Sequence, residues 1–201
     1  MTQKRVSKTK TAGSAPKVIS ELSKVFCIIA IVFSSTVVAA DIKSYRNEQF
    51  HYGFAYPADW HYSTQTGVVM SVSKGVANIN VTVQPVSPQN RGKYKSLYDE
   101  PSVVEYLIDN ARNTFKADVL GAGKTVLSDN DAVWLKYVFI HKSLDKEVWI
   151  AGYQVTALRN DTIYTITTKV AGRSKREALS IFDKTWPIFK NSIVSLYIDP
   201  F

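Results

Sequence analysis

From Ala132 to Val170 the chain carries three apolar runs, over 132–141, 148–158 and 162–170, all rich in β-branched and aromatic residues. Short polar connectors, Ser143 to Lys146 and Arg159-Asn160-Asp161, separate them. Runs of this length and composition joined by such connectors predict three antiparallel strands and two hairpins, around which the rest of the chain is organised. Side chains alternate across a strand, so Trp134, Val138 and Ile140 share one face of the first run, and Val133, Leu135, Tyr137 and Phe139 share the other. Both faces are apolar, which requires a covering layer on each. The third run places Thr165, Thr167 and Lys169 on one face. That pattern predicts a position nearer an edge, with the first two runs central.

Upstream, Phe50, Tyr52, Phe54 and Tyr56 alternate with small or polar residues, predicting a strand with one aromatic face. Pro57 would end it and Ala58-Asp59 would turn the chain back, a hairpin that sets Tyr56 opposite His61. Residues 67–74 and 76–86, joined at Gly75, predict a second hairpin. In its second arm Ala77, Ile79, Val81 and Val83 point inward, while Asn78, Asn80, Thr82 and Gln84 face water at an open face or edge. Ser102-x-x-Glu105 reads as a capping box that opens a helix with Val104, Leu107, Ile108, Ala111 and Phe115 on one side. Ser174-x-x-Glu177 reads as another, opening a stripe of Ala178, Ile181, Phe182, Thr185, Phe189 and Ile193. Pro187 interrupts that stripe, which predicts a kink near 183–186 or a restart with the proline in a first turn. The two helices are expected to cover the sheet, the second on the opposite face.

The first 40 residues stand apart. Lys4, Arg5, Lys8, Lys10, Lys17 and Lys24 face a single acid, Glu21, and lead into an apolar run ending Val38-Ala39-Ala40. This is the order of a secretory signal peptide, with cleavage expected between Ala40 and Asp41. An uncleaved membrane anchor is the alternative; the run of about 16 residues, broken by Ser34, Ser35 and Thr36, falls short of the roughly 20 that span a bilayer. Cleavage would leave one domain over 41–201 and lower the formal charge from +8 to +3. Most of the basicity then belongs to the leader, so no nucleic-acid partner is expected. The only cysteine, Cys27, also lies in the leader. Thiol nucleophiles, thiolate metal sites and disulfides are thereby excluded from the mature chain.

Candidate chemistry is sparse. Gly123-Lys124-Thr125 lacks the upstream glycine of a phosphate-binding loop, since Asp118 stands there, and Thr125-Val126-Leu127 looks like strand where a helix is needed. His51, His61 and His141 read as surface or strand-end residues, and no nucleophile elbow, His-Glu-x-x-His helix or calcium loop is present. No cofactor, metal or catalytic residue is assigned. Pro85, Pro88, Asn90 and Gly92 predict a long loop of about 15 residues containing Arg91, Lys93 and Lys95. This triplet is a candidate partner-binding loop for an anionic group or lipid head group, set against the plainer reading of a solvated charge run. The aromatic content of 12% either fills the core with Trp60, Trp134, Trp149 and Trp186 or forms a surface cluster for a protein or lipid tail.

Phe54-Ala-Tyr56-Pro57-Ala-Asp-Trp60 at the head of this order of elements, with the 182–196 segment closing it through Ser192-Ile-Val-Ser195, resembles the PsbP family and its bacterial relatives of the periplasmic DcrB type, over roughly 48–196. The resemblance implies an α+β fold, an α/β/α sandwich with a central antiparallel sheet of about six or seven strands covered by helices. It also implies a non-catalytic accessory or interaction protein, periplasmic or secreted, serving an unidentified envelope or membrane-associated protein. No metal-binding or photosystem-docking position of the plant proteins is matched, so neither role is carried over. A lipid or hydrophobic-ligand carrier is the alternative function. A hydrolase or metal enzyme is third, supported only by the three histidines.

Overall fold

The computed structural model describes residues 41–65, 68–143 and 146–200. The expected leader over 1–40, with Ala40 of its cleavage position, lies outside them, as do 144–145 in the first predicted turn and Gly67 at the start of the second hairpin. Asp41 is the first described residue.

The three central runs form β7 (Asn130–Ser143), β8 (Lys146–Arg159) and β9 (Thr162–Gly172), paired antiparallel in register from Ala132↔Ala157 to Ser143↔Lys146 and from Trp149↔Gly172 to Arg159↔Thr162. Asn160 and Asp161 turn with positive φ, 49° and 55°, a conformation Asn and Asp tolerate better than other side chains. Upstream come β3 (His61–Gln65), β4 (Val68–Lys74) and β5 (Ala77–Pro85), with Gly75 at φ 57° in the tight β4–β5 turn. With β6 (Asp118–Leu127) they make one seven-stranded antiparallel sheet in the order β3-β4-β5-β9-β8-β7-β6.

This order corrects the expectation for the third run. β9 is the middle strand of the seven, not a near-edge one, and β5 is likewise interior. The polar alternation of both strands has another cause. Helix α1 (Val103–Phe115) covers their common face only over β6 and β7, where Ala111, Leu135 and Ala117 pack with Ile108, Val119, Ala122 and Phe139. Helix α2 (Lys175–Val194) covers the opposite face, burying Phe182, Phe189 and Ala178 among Val81, Val138, Val155, Ile166 and Val170. The Gly121-Ala-Gly-Lys-Thr125 stretch lies wholly within β6, where Gly121 and Gly123 leave room for the Trp134 ring. Trp134, Tyr153, Trp186 and Phe182 form a continuous chain of ring contacts under α2, with Trp134 stacked on Tyr153 at 5.6 Å, Tyr153 edge-on to Trp186 at 4.9 Å and Trp186 stacked on Phe182 at 5.7 Å, and Trp60 meets Phe189 edge-on at 6.2 Å. The tryptophans at 60, 134 and 186 therefore fill the layer between sheet and helix.

A second, three-stranded sheet was not anticipated: β1 (Ile42–Asn47), β2 (Tyr52–Pro57) and the short β10 (Tyr197–Ile198). β2 pairs with both neighbours, so Ala58-Asp59 passes the chain from one sheet to the other and does not make a hairpin with β3. Tyr52 and Phe54 are needed in the core beneath α2, and β1 with its exposed alternation shields their strand. Arg46 ties the ends together, donating to the Tyr197 hydroxyl (2.8 Å) and to the Asp199 carboxylate (2.9 Å).

The two predicted capping boxes part company. Ser174 Oγ accepts the Glu177 N–H at 3.2 Å, and Glu177 reaches back to the Arg173 N–H at 2.7 Å. Ser102 makes no cap; its hydroxyl donates to Glu100 Oε1 at 2.6 Å. A capping box forms instead at Ser96 and Asp99, around a short 3-10 turn over Leu97–Asp99 in the long loop. Pro187 does not restart a helix: α2 is continuous through it, with the prolyl ring on the exposed side.

Candidate functional site

Because directly paired residues share a face, the register reads out the side of the sheet on which α1 lies. One row across the sheet is Ser63, Ser71, Asn80, Thr167, Gln154, Leu135 and Ala122, from β3 to β6. The next is His61, Ser73, Asn78, Lys169, Gly152, Tyr137 and Val119. A third runs Thr82, Thr165, Thr156 and Val133. Each row is polar over β5, β9 and β8 and turns apolar at β7, under the helix; Gly152 is the one break.

At that boundary lies a trough of about 290 Å³. Its floor is Asn80, Thr82, Thr167 and Gln154, its wall is Leu107, Asn110, Ala111 and Phe115 of α1 with Leu135, Tyr137 and Phe139 of β7, and Lys169 stands at one end. Tyr137 leans across Gly152: a Cβ on that glycine would lie 2.7 Å from the tyrosine ring. Burial pushes the Tyr137 hydroxyl up to about 12, so it is a neutral hydrogen-bonding group at physiological pH.

The floor is only partly satisfied. Gln154 Nε2 donates to Thr156 Oγ1 (3.1 Å), which in turn bonds Thr165 Oγ1 (3.1 Å), so the glutamine is held by its amide end. In the next row on β5, outside the trough lining, Asn78 Nδ2 donates to Ser71 Oγ at 2.8 Å and its Oδ1 is buried without a partner. Asn80, 7% exposed, also has an unpartnered Oδ1. Buried polar atoms are nearly always paired, and leaving one unpaired costs about 1–3 kcal/mol. Larger hollows lie along the outer side of α2, beyond the end of β7 and beside Ser128, Asp129 and Arg159, but none of them is lined by an unpartnered buried polar atom among the described residues.

Among the described residues that line the trough there is no carboxylate, imidazole or thiol. What it offers is a set of neutral donors and acceptors, one ammonium and an apolar wall. Such a site can hold and orient a ligand.

The residues singled out from the sequence lie elsewhere. Arg91, Lys93 and Lys95 are exposed on the loop beyond the Thr82 end of the sheet. The loop is fastened there by the Gly92 N–H to Asp161 Oδ1 (2.8 Å), Ser96 Oγ to Asp131 Oδ2 (2.5 Å) and the Tyr98 hydroxyl to the Thr125 carbonyl (2.5 Å). Lys93 lies over the Tyr94 ring, 4.8 Å from its centroid, and its hydrogen bond to Tyr94 raises the ammonium above its usual pKa. Lys95 borders a different hollow, with Asp129 and Arg159. None of the three reaches the trough. The three histidines are exposed at separate places, His51 in the β1–β2 turn, His61 on β3 and His141 near the end of β7. No cluster of three or more His, Cys, Asp or Glu suited to a metal occurs among the described residues, and none of the described helices is long and apolar enough to cross a membrane.

The trough residues were visible in the sequence only as ordinary polar positions. Asn80 on β5 and Thr167 on β9 are 87 residues apart, and their pairing is a fact of tertiary structure. The available signal was that both strands carry a polar face of Asn, Thr and Lys.

No protein-family model matches the chain, and no curated protein matches its sequence. Among solved structures, the cyanobacterial PsbP of Synechocystis sp. PCC 6803, CyanoP, is similar over 82% of this chain and 96% of that one, with a TM-score of 0.52 and 12% identity. LpqN of Mycobacterium tuberculosis, described as involved in cell envelope biogenesis, aligns over 82% and 88% with a TM-score of 0.47 and 10% identity. PA94 of Pseudomonas aeruginosa aligns over 80% and 99% with a TM-score of 0.45 and 14% identity. The seven-stranded antiparallel sheet between two helices is a PsbP-like α+β fold.

Proposed function

We propose that this chain is an exported, non-catalytic accessory protein of the PsbP-like type, which acts by binding through the trough beside α1 and serves an envelope or membrane complex. The observation that carries the reading is Asn80: a buried amide whose acceptor has no partner, at the edge of an incompletely covered sheet face. An unpaired buried acceptor costs stability, as the Tyr52 hydroxyl elsewhere in the core also does, and at Asn80 a donor bound in the trough would recover that cost. The fold likeness to a PsbP supports the accessory role.

A lipid carrier needs an enclosed apolar space. The trough has a polar floor, and its 290 Å³ sits at the lower limit of small-molecule pockets, so the geometry favours a compact polar ligand or side chain over an acyl chain.

Three measurements test the reading. The exported protein should begin at Asp41, and an N-terminus elsewhere removes the expected leader. Purified protein should turn over none of a panel of ester, phosphate and glycoside substrates; turnover that disappears on Lys169→Met or Tyr137→Phe makes it an enzyme. A tagged chain should capture a partner from its own envelope fraction that the Asn80→Leu variant does not, and equal capture by both removes the trough from the function.

A further inference from the structure

We infer that the trough takes a neutral, polyhydroxylated ring, one sugar residue of a glycan, with its hydroxyl edge on Asn80, Thr167 and Gln154 and its C–H face against Tyr137 and Phe139. This rests on the trough being the binding site of the chain.

The hydrogen-bonding inventory excludes the common anions first. Asn80 Oδ1 is the buried, unpartnered acceptor of the lining, and an ionised carboxylate carries acceptors only. The ligand has to bring O–H or N–H groups. Turning the Asn80 amide over would bury its NH₂ instead, and a hydroxyl, donor and acceptor at once, matches either arrangement. The floor then presents an amide, a hydroxyl and an amide in one cross-strand row, Asn80, Thr167 and Gln154, on adjacent strands. Strands lie about 4.8 Å apart, which separates these groups by distances of the order found between ring substituents on one edge of a sugar.

Charge and shape agree. Lys169 is the single charged side chain among the described residues of the lining, so the site is not built for a polyanion. The opposite wall is apolar except for Asn110 on α1, and the Tyr137 and Phe139 rings, 6.0 Å apart, offer π faces to polarised C–H groups. A ligand polar on one edge and apolar on one face fits a trough with a polar floor and an apolar wall. The volume of about 290 Å³ suits a single ring.

The test is a titration of the full chain, ¹⁵N-labelled, with maltose and chitobiose as neutral probes, glucuronate and inorganic phosphate as anionic ones, and glycylglycine as a peptide probe, observed at the side-chain amides of Asn80 and Gln154. A neutral disaccharide should shift both amides saturably. Asn80→Leu should weaken that binding about tenfold without lowering Tm, since an apolar isostere relieves an unpaired buried acceptor. A fall in Tm would assign Asn80 a structural role and overturn the inference. Thr167→Val serves as a second variant, with the same loss expected, and Lys95→Met, outside the trough, should leave neutral-sugar binding unchanged. Shifts produced only by the anions and lost in Lys169→Met would make the site an anion site, shifts from glycylglycine alone would make it a peptide groove, and no shift with either sugar would also overturn the inference. If neither sugar binds while Asn80→Leu still abolishes capture of the envelope partner, the sugar assignment falls and the accessory reading stands. If a sugar binds and capture is indifferent to Asn80, the accessory reading falls instead.

Discussion

Replacing Gly172 by alanine tests how closely α2 is seated on the sheet. Gly172 is the last residue of β9, paired with Trp149. A Cβ there would stand 2.6 Å from the backbone nitrogen of Ala178, 2.8 Å from its Cα and 3.1 Å from its Cβ. Ordinary contact begins near 3.4 Å, so the worst overlap is close to 0.8 Å. The obstacle is backbone in the first turn of α2, where the Ala178 N–H already bonds the Ser174 carbonyl at 2.9 Å. No side chain can swing aside; the N-terminal turn of the helix has to lift, loosening Phe182 one turn further on. Overpacking of this kind costs about 1–3 kcal/mol, and a backbone obstacle argues for the upper half; the reduced freedom of the unfolded chain returns about 0.4–1 kcal/mol. The net expectation is a loss of about 2 kcal/mol, or about 4–8 °C in Tm for a domain of this size. Thermal and urea unfolding followed by circular dichroism measure it. Gly152→Ala is the comparison: its added Cβ meets only the far end of the Tyr137 side chain, so the loss should stay below about 1 kcal/mol. A Gly172→Ala variant melting within about 2 °C of the parent would refute the claim that α2 is held against β9 at backbone contact distance.

Pro187→Ala restores a donor within α2 on its exposed side and should stabilise the protein by about 2 kcal/mol in denaturant unfolding, the interior-proline cost of about 3 less the entropy that proline removes from the unfolded chain. Ser174→Ala should cost about 1 kcal/mol in the same assay because its hydroxyl caps α2, whereas Ser102→Ala should change stability by less than about 0.5 kcal/mol because its hydroxyl does not cap α1. Tyr137 supplies an alkaline limit. Its folded pKa of about 12 lies above the ordinary tyrosine value of 10.0, so its contribution is whole below pH 10.0 and is lost as the pH rises through about 12. The loss is on the order of 2–3 kcal/mol, and Tyr137→Phe should flatten that part of a stability–pH curve measured between about pH 9 and 12.

The elements were legible wherever period and punctuation agreed. β7, β8 and β9 stood out as apolar runs between polar connectors, the Gly75 turn and the Ser174 cap did their predicted work, and Thr125 to Leu127 read correctly as strand. The misreadings share a cause. Thr165, Thr167 and Lys169 suggested an edge because polar alternation marks a wet face, and a face is wet either at an edge or where a covering helix is short. Ser102 suggested a cap, but the neighbouring Glu100 takes its hydroxyl. Ala58-Asp59 suggested a hairpin, and β1 was missed, because two sheets stacked in one core leave no local trace of which strand joins which.

Alternation and capping chemistry within the chain were enough to specify an antiparallel sheet sealed by two amphipathic helices, because those signals act between residues a few positions apart. Strand order, the passage of β2 into a second sheet, and the reach of α1 over only β6 and β7 depend on long-range packing. The trough exists because of that last fact. Asn80 on β5, Gln154 on β8 and Tyr137 on β7 become one site only when β9 is laid between the first two and the helix stops short of covering them.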